Sequence, residues 1–163
     1  MPNWCDNKIS VKHENPEMIQ RFDKAFKEGR LLEEFVPFPN GTWDYDWCVE
    51  NWGTKWDING GEFQIDENDP TSGSGYFDSA WAPPVEAMDK MTELGFVIEL
   101  YYYEGGVGYV GKYTSEEGDR PYELDFSDPE WRENLSEDII EEFVLEEEYQ
   151  NWLEWNKESE DEP

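Results

Sequence analysis

The stretch that most constrains this chain is Phe96 to Glu104, FVIELYYYE, whose β-branched and aromatic residues favour a strand over any other element. Glu104-Gly105-Gly106 turns it, and Val107 to Thr114 (VGYVGKYT) pairs back as a hairpin. Upstream, residues 4–13 (WCDNKISVKH) alternate through Ile9 and Val11 as a half-buried strand does. Asn15-Pro16-Glu17 then supplies an N-cap, a first-turn proline and an acid, and Met18, Phe22, Ala25 and Phe26 follow at helical spacing up to Gly29. Residues 58–66 (INGGEFQID) alternate weakly as a strand, Asp66 to Gly75 reads as a turn, and residues 76–81 (YFDSAW) read as a short strand. Ala82-Pro83-Pro84 starts a second helix with Val85, Met88, Met91 and Leu94 on its inner face and Gly95 at its end. The order β-α-loop-β-β-α-β-β is a split βαβ pattern. It predicts an α+β, ferredoxin-like sandwich with an antiparallel sheet and two helices on one face.

Residues 30–57 form the long connection in that order, and Pro37, Pro39, Asn40 and Gly41 break regular structure within it. The connection is rich in tryptophan: Trp43 and Trp47 precede the string Glu50-Asn51-Trp52-Gly53-Thr54-Lys55-Trp56-Asp57. Each indole brings a large apolar area and one N–H that needs a partner. Such a loop is either pinned to the sheet as an aromatic minicore, or it presents Trp43, Trp47, Trp52, Lys55 and Trp56 as a recognition surface.

From Glu116 the composition shifts. Residues 116–163 hold 20 acids against 3 bases, a net of −17, which leaves −12 of the total −29 for residues 1–115. The chain is therefore read as a domain over 1–115 and an acidic helical C-terminal extension over 116–163. Ser127-Asp128-Pro129-Glu130 and Ser136-Glu137-Asp138 are helix starts, and Ile140, Phe143 and Val144 make a narrow stripe suited to docking. Beyond it Glu141, Glu142, Glu146, Glu147, Glu148 and Glu154 leave the helix acidic nearly all round, with Tyr149, Trp152 and Trp155 spread over it. Residues 158–163 are expected to lack structure.

With 41 acids against 12 bases the chain repels nucleic acid and anionic lipid and attracts basic surfaces. It lacks the basic footprint that phosphate binding needs, which argues against direct DNA or RNA binding. Aromatics at 17% keep it out of the disordered class. No apolar run approaches the roughly 18 residues of a membrane span, and the opening residues lack a signal peptide's regions, so a cytosolic protein is expected. Cys5 and Cys48 lie outside metal spacing and read as reduced thiols, with a disulfide as the alternative.

Chemistry is poorly represented. Carboxylates are too abundant to single out an acid–base pair, and the only histidine, His13, has no nucleophile set around it in the sequence. Gly105-Gly106-Val107-Gly108 joins two strands and reads as a turn, not a phosphate loop. Asp66-Glu67-Asn68-Asp69 has oxygens for calcium but not the glycine and glutamate that follow in a calcium loop. No enzyme activity, metal or cofactor is expected.

Met1-Pro2-Asn3-Trp4-Cys5 opening a strand, the ENWGTKWD string, Ser79-Ala80-Trp81-Ala82-Pro83-Pro84 and the Glu104 to Lys112 hairpin together resemble the phage- and plasmid-borne family with a YubB-type ferredoxin-like domain. The resemblance spans about residues 1–115. It implies the fold and a mobile-element setting, brings no catalytic residues, and does not include the acidic extension. The resulting expectation is a phage or mobile-element protein in the host cytosol. It would inhibit a nucleic-acid-handling defence protein, such as a restriction, CRISPR or recombination complex, by covering its basic surface. Duplex DNA carries one charge per about 1.7 Å, and Glu141, Glu142, Glu146, Glu147 and Glu148 would stand in for it, with Trp152 and Trp155 as apolar anchors. The alternative is an adaptor that recognises a protein through the tryptophan loop, its extension only solubilising. Oligomeric state is open at this level.

Overall fold

The computed structural model describes residues 3–161, with side chains up to Lys157. Six strands form one open sheet: β1 (Trp4–Lys12), β2 (Asn59–Asp66), β3 (Asp69–Ala80), β4 (Val97–Glu104), β5 (Tyr109–Thr114) and β6 (Gly118–Glu123). Their order is β2-β3-β1-β4-β5-β6, with every neighbouring pair antiparallel. β1 lies inside the sheet and alternates strictly, burying Cys5, Asn7, Ile9 and Val11 and exposing the residues between.

The buried side of β1 faces α1 (Pro16–Lys27) and α4 (Val85–Glu93). α1 begins as its local residues dictate: the Asn15 side-chain oxygen Oδ1 accepts the Glu17 N–H at 3.0 Å and Pro16 occupies the first turn, where its missing N–H costs nothing. It buries Ile19, Phe22, Ala25 and Phe26, while α4 buries Ala87, Met88 and Met91; Leu94, expected on the inner face, is the C-cap beyond the last turn and is exposed. Fully burying a side chain such as Phe22 contributes about 1.5–3 kcal/mol. Together with Ile98, Leu100 and Tyr102 of β4, these residues form the first hydrophobic core.

Several expectations need correction. The connection over 30–57 is not all loop, for it contains α2 (Leu31–Phe35) and α3 (Tyr45–Asn51). Leu31, Leu32 and Phe35 sink into the core, and the Asp44 side chain caps α3 by accepting the Trp47 N–H. The Asp66 to Gly75 stretch is mostly strand β3, not a turn. Its glycines serve close packing: a Cβ at Gly73 would run into the Phe63 ring, and one at Gly75 into the Glu62 carbonyl. The sheet does not stop at 115, because β6 pairs with β5 through Glu123. Of residues 158–163, expected to lack structure, 158–161 continue the backbone of the last helix, α6 (Leu145–Asp161), and the final two lie outside the described residues.

The C-terminal extension docks on the opposite face of the sheet. The helix start expected at Ser127 is instead a run of turns that ends in buried Trp131 and Leu135, followed by α5 (Glu137–Glu142) and α6. Trp131, Leu135, Ile139 and Leu145 pack with Val110 of β5 into a second core, against Tyr101 and Tyr103 of β4 and Phe126, Phe143 and Tyr149 of the extension. Of the expected stripe, Ile140 and Phe143 are half-buried, but Val144 is exposed at the corner between the helices with φ +50°.

Candidate functional site

The tryptophan string folds as a brace between α2, β3 and α4. Trp52 is 1% exposed, and its indole N–H donates to the Val36 carbonyl at 2.8 Å. Its ring meets Trp47 edge-on at 5.8 Å and Phe38 at 5.0 Å. Gly53 sits at φ +86°, where a side chain would press on the backbone of Pro83, Val85 and Glu86. The Thr54 hydroxyl donates to the Ala80 carbonyl at 2.8 Å. Asp57 accepts N–H groups from Leu32, Glu33 and Ile58 at 2.9, 3.0 and 2.8 Å and so holds the start of α2. Burial pushes the Asp57 carboxyl up from its usual range, against those three donors, which pull it down.

The expected recognition set therefore divides. Trp52 belongs to the core and is not free for a partner, whereas Trp47 is half-buried and packs edge-on against it. Trp43 and Trp56 face outward, 49% and 40% exposed. The Trp43 indole N–H donates to the Lys55 carbonyl at 2.7 Å, and the Lys55 ammonium lies 4.2 Å from the Trp56 ring centroid, a cation–π contact. Two residues that sequence reasoning did not select join them at this end of the sheet. Trp4 lies 6.2 Å from Trp56, and Trp81, half-exposed with φ +70°, donates its backbone N–H to the Asn3 carbonyl at 2.8 Å. Trp81 stands in the Ser79 to Pro84 motif, but nothing in that motif marks its positive φ, which arises where β3 leaves the sheet.

The acidic set divides as well. The half-buried Glu142 lies 3.8 Å from the Lys8 ammonium, which also donates to the Glu142 carbonyl at 2.7 Å. Glu146 forms a two-point ion pair with Arg132. Trp152 is half-buried, stacked on Tyr149 at 6.1 Å and 6.2 Å from Phe126, so part of its ring is covered by the extension itself. Glu141, Glu147 and Glu148 are exposed and form no ion pair among the described residues, and Trp155 is 71% exposed. The extension is tied down at Asp138, which accepts from the Lys112 ammonium at 2.8 Å and the Tyr101 hydroxyl at 2.9 Å. Lys112 beside it holds the Asp138 carboxyl well below the usual carboxylate range, and Asp138 in turn raises Lys112.

The remaining chemical candidates have structural partners. His13 sits 2.9 Å from the Leu94 carbonyl and accepts the Asn15 N–H at 3.0 Å. The Glu104 carboxylate accepts the Gly106 and Val107 N–H groups at 2.7 and 2.8 Å, which shapes the hairpin turn. Cys5 and Cys48 are both free and buried, so the disulfide alternative falls, and burial pushes the Cys5 thiol up to about 12. Among the described residues, no three or more His, Cys, Asp or Glu side chains gather as a metal site, and no helix is long and apolar enough to cross a membrane.

A family model described as the ferredoxin-like domain in Api92-like protein matches residues 51–143, more than half of the chain. The match begins inside the ENWGTKWD string and runs through α5, so it takes in β2 to β6 and the start of the docked extension, but not β1 or α1. Among solved structures, the protein api92 from Yersinia pseudotuberculosis is similar at 18% identity and a TM-score of 0.43, over 58% of this chain and 39% of that one. No curated protein matches the chain.

Proposed function

This chain belongs to the family that carries the ferredoxin-like domain of Api92-like proteins, and from that premise we propose a binding protein, not an enzyme, that covers a basic, nucleic-acid-holding surface on a partner protein. One observation carries the reading. The acidic residues of the extension stand on elements packed into a second core and tied to Lys8 and Lys112, whereas a merely solubilising tail needs no fixed geometry. Carboxylates already held in place spare the partner complex much of the cost of ordering them. Glu141, Glu147 and Glu148 supply the charge that steers the encounter. Trp155, seven residues after Glu148 and so on the same helical face, supplies apolar contact. The resemblance of the N-terminal motifs to a phage- and plasmid-borne family supports a setting in which the partner is a host defence protein.

The test is a triple variant, Glu141→Lys, Glu147→Lys and Glu148→Lys, in a tagged pull-down washed with rising salt. The wild type should retain a nucleic-acid-binding protein that moderate salt releases, since exposed charges are screened beyond about 8 Å at physiological ionic strength. The triple variant should lose it while its circular dichroism stays unchanged. Equal capture by both would sink the reading.

A second reading rests on Trp81, whose backbone conformation costs about 1–3 kcal/mol and is kept beside the half-exposed Trp4 and Trp56. An adaptor would use Trp43, Lys55 and Trp56 there. Truncation after residue 126 does not separate the two readings, because it would strip Tyr101, Tyr103 and Val110 of their cover. Trp43→Ala with Trp56→Ala does separate them: the adaptor loses its partner and the acidic binder keeps it.

A further inference from the structure

The strand register sets two carboxylates face to face. Asp6 on β1 is the direct partner of Asp78 on β3, and both side chains stand on the face opposite α1 and α4. Like charges directly opposed weaken a strand pair. Asp66 and Asp69 also oppose each other, at the β2–β3 turn, but there each carboxylate accepts an N–H, from Asn68 and Thr71. Among the described residues, neither Asp6 nor Asp78 forms an ion pair. Burial and then the facing Asp6 push the Asp78 carboxyl up. Aromatic rings stand around the pair. Trp4 is the diagonal neighbour of Asp78 across the strands, and Tyr76, 52% exposed, is that of Asp6. Tyr103 of β4 is the direct partner of Asp6 on its other side and is backed by Phe143 at 5.5 Å. Trp56 lies beyond Trp4. The nearby cations are engaged elsewhere: Lys8 donates to the Glu142 carbonyl, and the Lys55 ammonium sits over the Trp56 ring.

We infer that this aromatic-walled carboxylate pair receives the guanidinium of an arginine side chain from a partner protein. A guanidinium is planar, presents donors along more than one edge and stacks on aromatic faces. One such group therefore bonds both carboxylates while its plane lies against Trp4 or Tyr76. The repulsion that weakens the free strand pair turns to attraction once that cation stands between the two acids, which gives the opposed register a use. A metal ion fits less well, because among the described residues no three His, Cys, Asp or Glu side chains gather to hold one. A second copy of the chain has no free arginine to offer, since Arg21, Arg30, Arg120 and Arg132 are all ion-paired within it. The site shares no residue with the array Glu141, Glu147 and Glu148, so it stands whether or not that array binds a partner.

The experiment uses the full chain and acetyl-arginine methylamide as the probe, read by the backbone and indole N–H resonances. Saturable shifts centred on Trp4, Asp6 and Asp78 support the inference. The lysine counterpart of the probe should bind several-fold more weakly, because its ammonium neither forks nor stacks as a plane. Asp6→Asn with Asp78→Asn should weaken arginine binding about tenfold. That variant also loses the repulsion and should melt at or above the wild type, so its lost binding is not lost folding. The variant Glu141→Lys, Glu147→Lys and Glu148→Lys should bind the probe as the wild type does, which separates this site from the acidic array. Unchanged binding by the asparagine variant, equal binding of the lysine probe, or shifts centred on α6 would overturn the inference. A dimer mass by light scattering that the probe converts to monomer would make the occupant an arginine of a second copy and overturn it equally.

Discussion

The two faces of the sheet are covered by different means. On one, α1 and α4 lay continuous apolar stripes over β1, β3 and β4, and the tryptophan string closes the end with Trp52 and Asp57. On the other, a segment rich in acids contributes a few large side chains set in turns and short helices, and two lysines of the sheet hold it at its carboxylates. The first face is stabilised by area that water cannot reach. The second combines a smaller core with partly exposed ion pairs, each of which contributes about 0–1 kcal/mol. The difference predicts that the acidic extension lifts away as a layer before the helix-covered core opens.

The largest effect separates the layers directly. Trp52→Ala should cost about 3–5 kcal/mol of global stability in a denaturant melt. Trp131→Ala should instead release the extension, so that amides of α5 and α6 exchange quickly while β1 keeps its protection. Joint loss of protection in both regions would break the comparison and make the protein one cooperative unit.

A finer contrast lies in the indole nitrogens. The Trp52 N–H donates to the Val36 carbonyl, whereas the buried Trp131 N–H has no partner. Trp131→Phe should therefore be cheaper than Trp52→Phe by about 1–3 kcal/mol, the cost of leaving the Val36 oxygen unpaired in the core. Equal melting midpoints for the two variants would refute this account.

The smallest effect is a difference in the sign of pH dependence. Asp57 is held above its usual pKa, so its contribution is fullest below about 3.9 and declines as pH rises through the folded value. Asp138 is held below its usual value, so its contribution is present above about 3.9 and is lost as pH falls through the folded one. Acid should loosen the extension while the first core holds. Asp138→Asn should remove that acid sensitivity, by less than about 1 kcal/mol given its exposure. Denaturant midpoints of α5 signals from about pH 6 to about pH 3 measure it; an unchanged slope in the variant would exclude Asp138 as the cause.

What was legible in the sequence was what is local. The cap, proline and spacing of α1 lie within a few residues of one another, as do the β-branched run of β4 and the turn after it. The glycines of β3 were misread because a strand glycine and a turn glycine look alike until the Phe63 ring and the Glu62 carbonyl are placed beside them. β6 was missed because Gly118–Glu123 carries no apolar alternation and owes its form to β5. The tryptophans of the loop look alike in one dimension. They are sorted by position in space, Trp52 reaching the Val36 carbonyl inside while Trp43 reaches the Lys55 carbonyl at the surface. Docking of the extension was hidden because its cover comes from Trp131 and Leu135 in turns, and its seat from residues of β4 and β5 whose outward direction a sequence does not reveal.

Both thiols of the chain lie on one side of this division. Cys5 belongs to the first core at the start of β1, and Cys48 to the same core in α3, each 0% exposed. A buried thiol kept in its protonated form is inert to alkylating reagents until the structure around it opens. The rate at which an alkylating reagent consumes these two groups is thus a built-in clock for breathing of the helix-covered side alone, ticking no faster when the acidic layer lifts away.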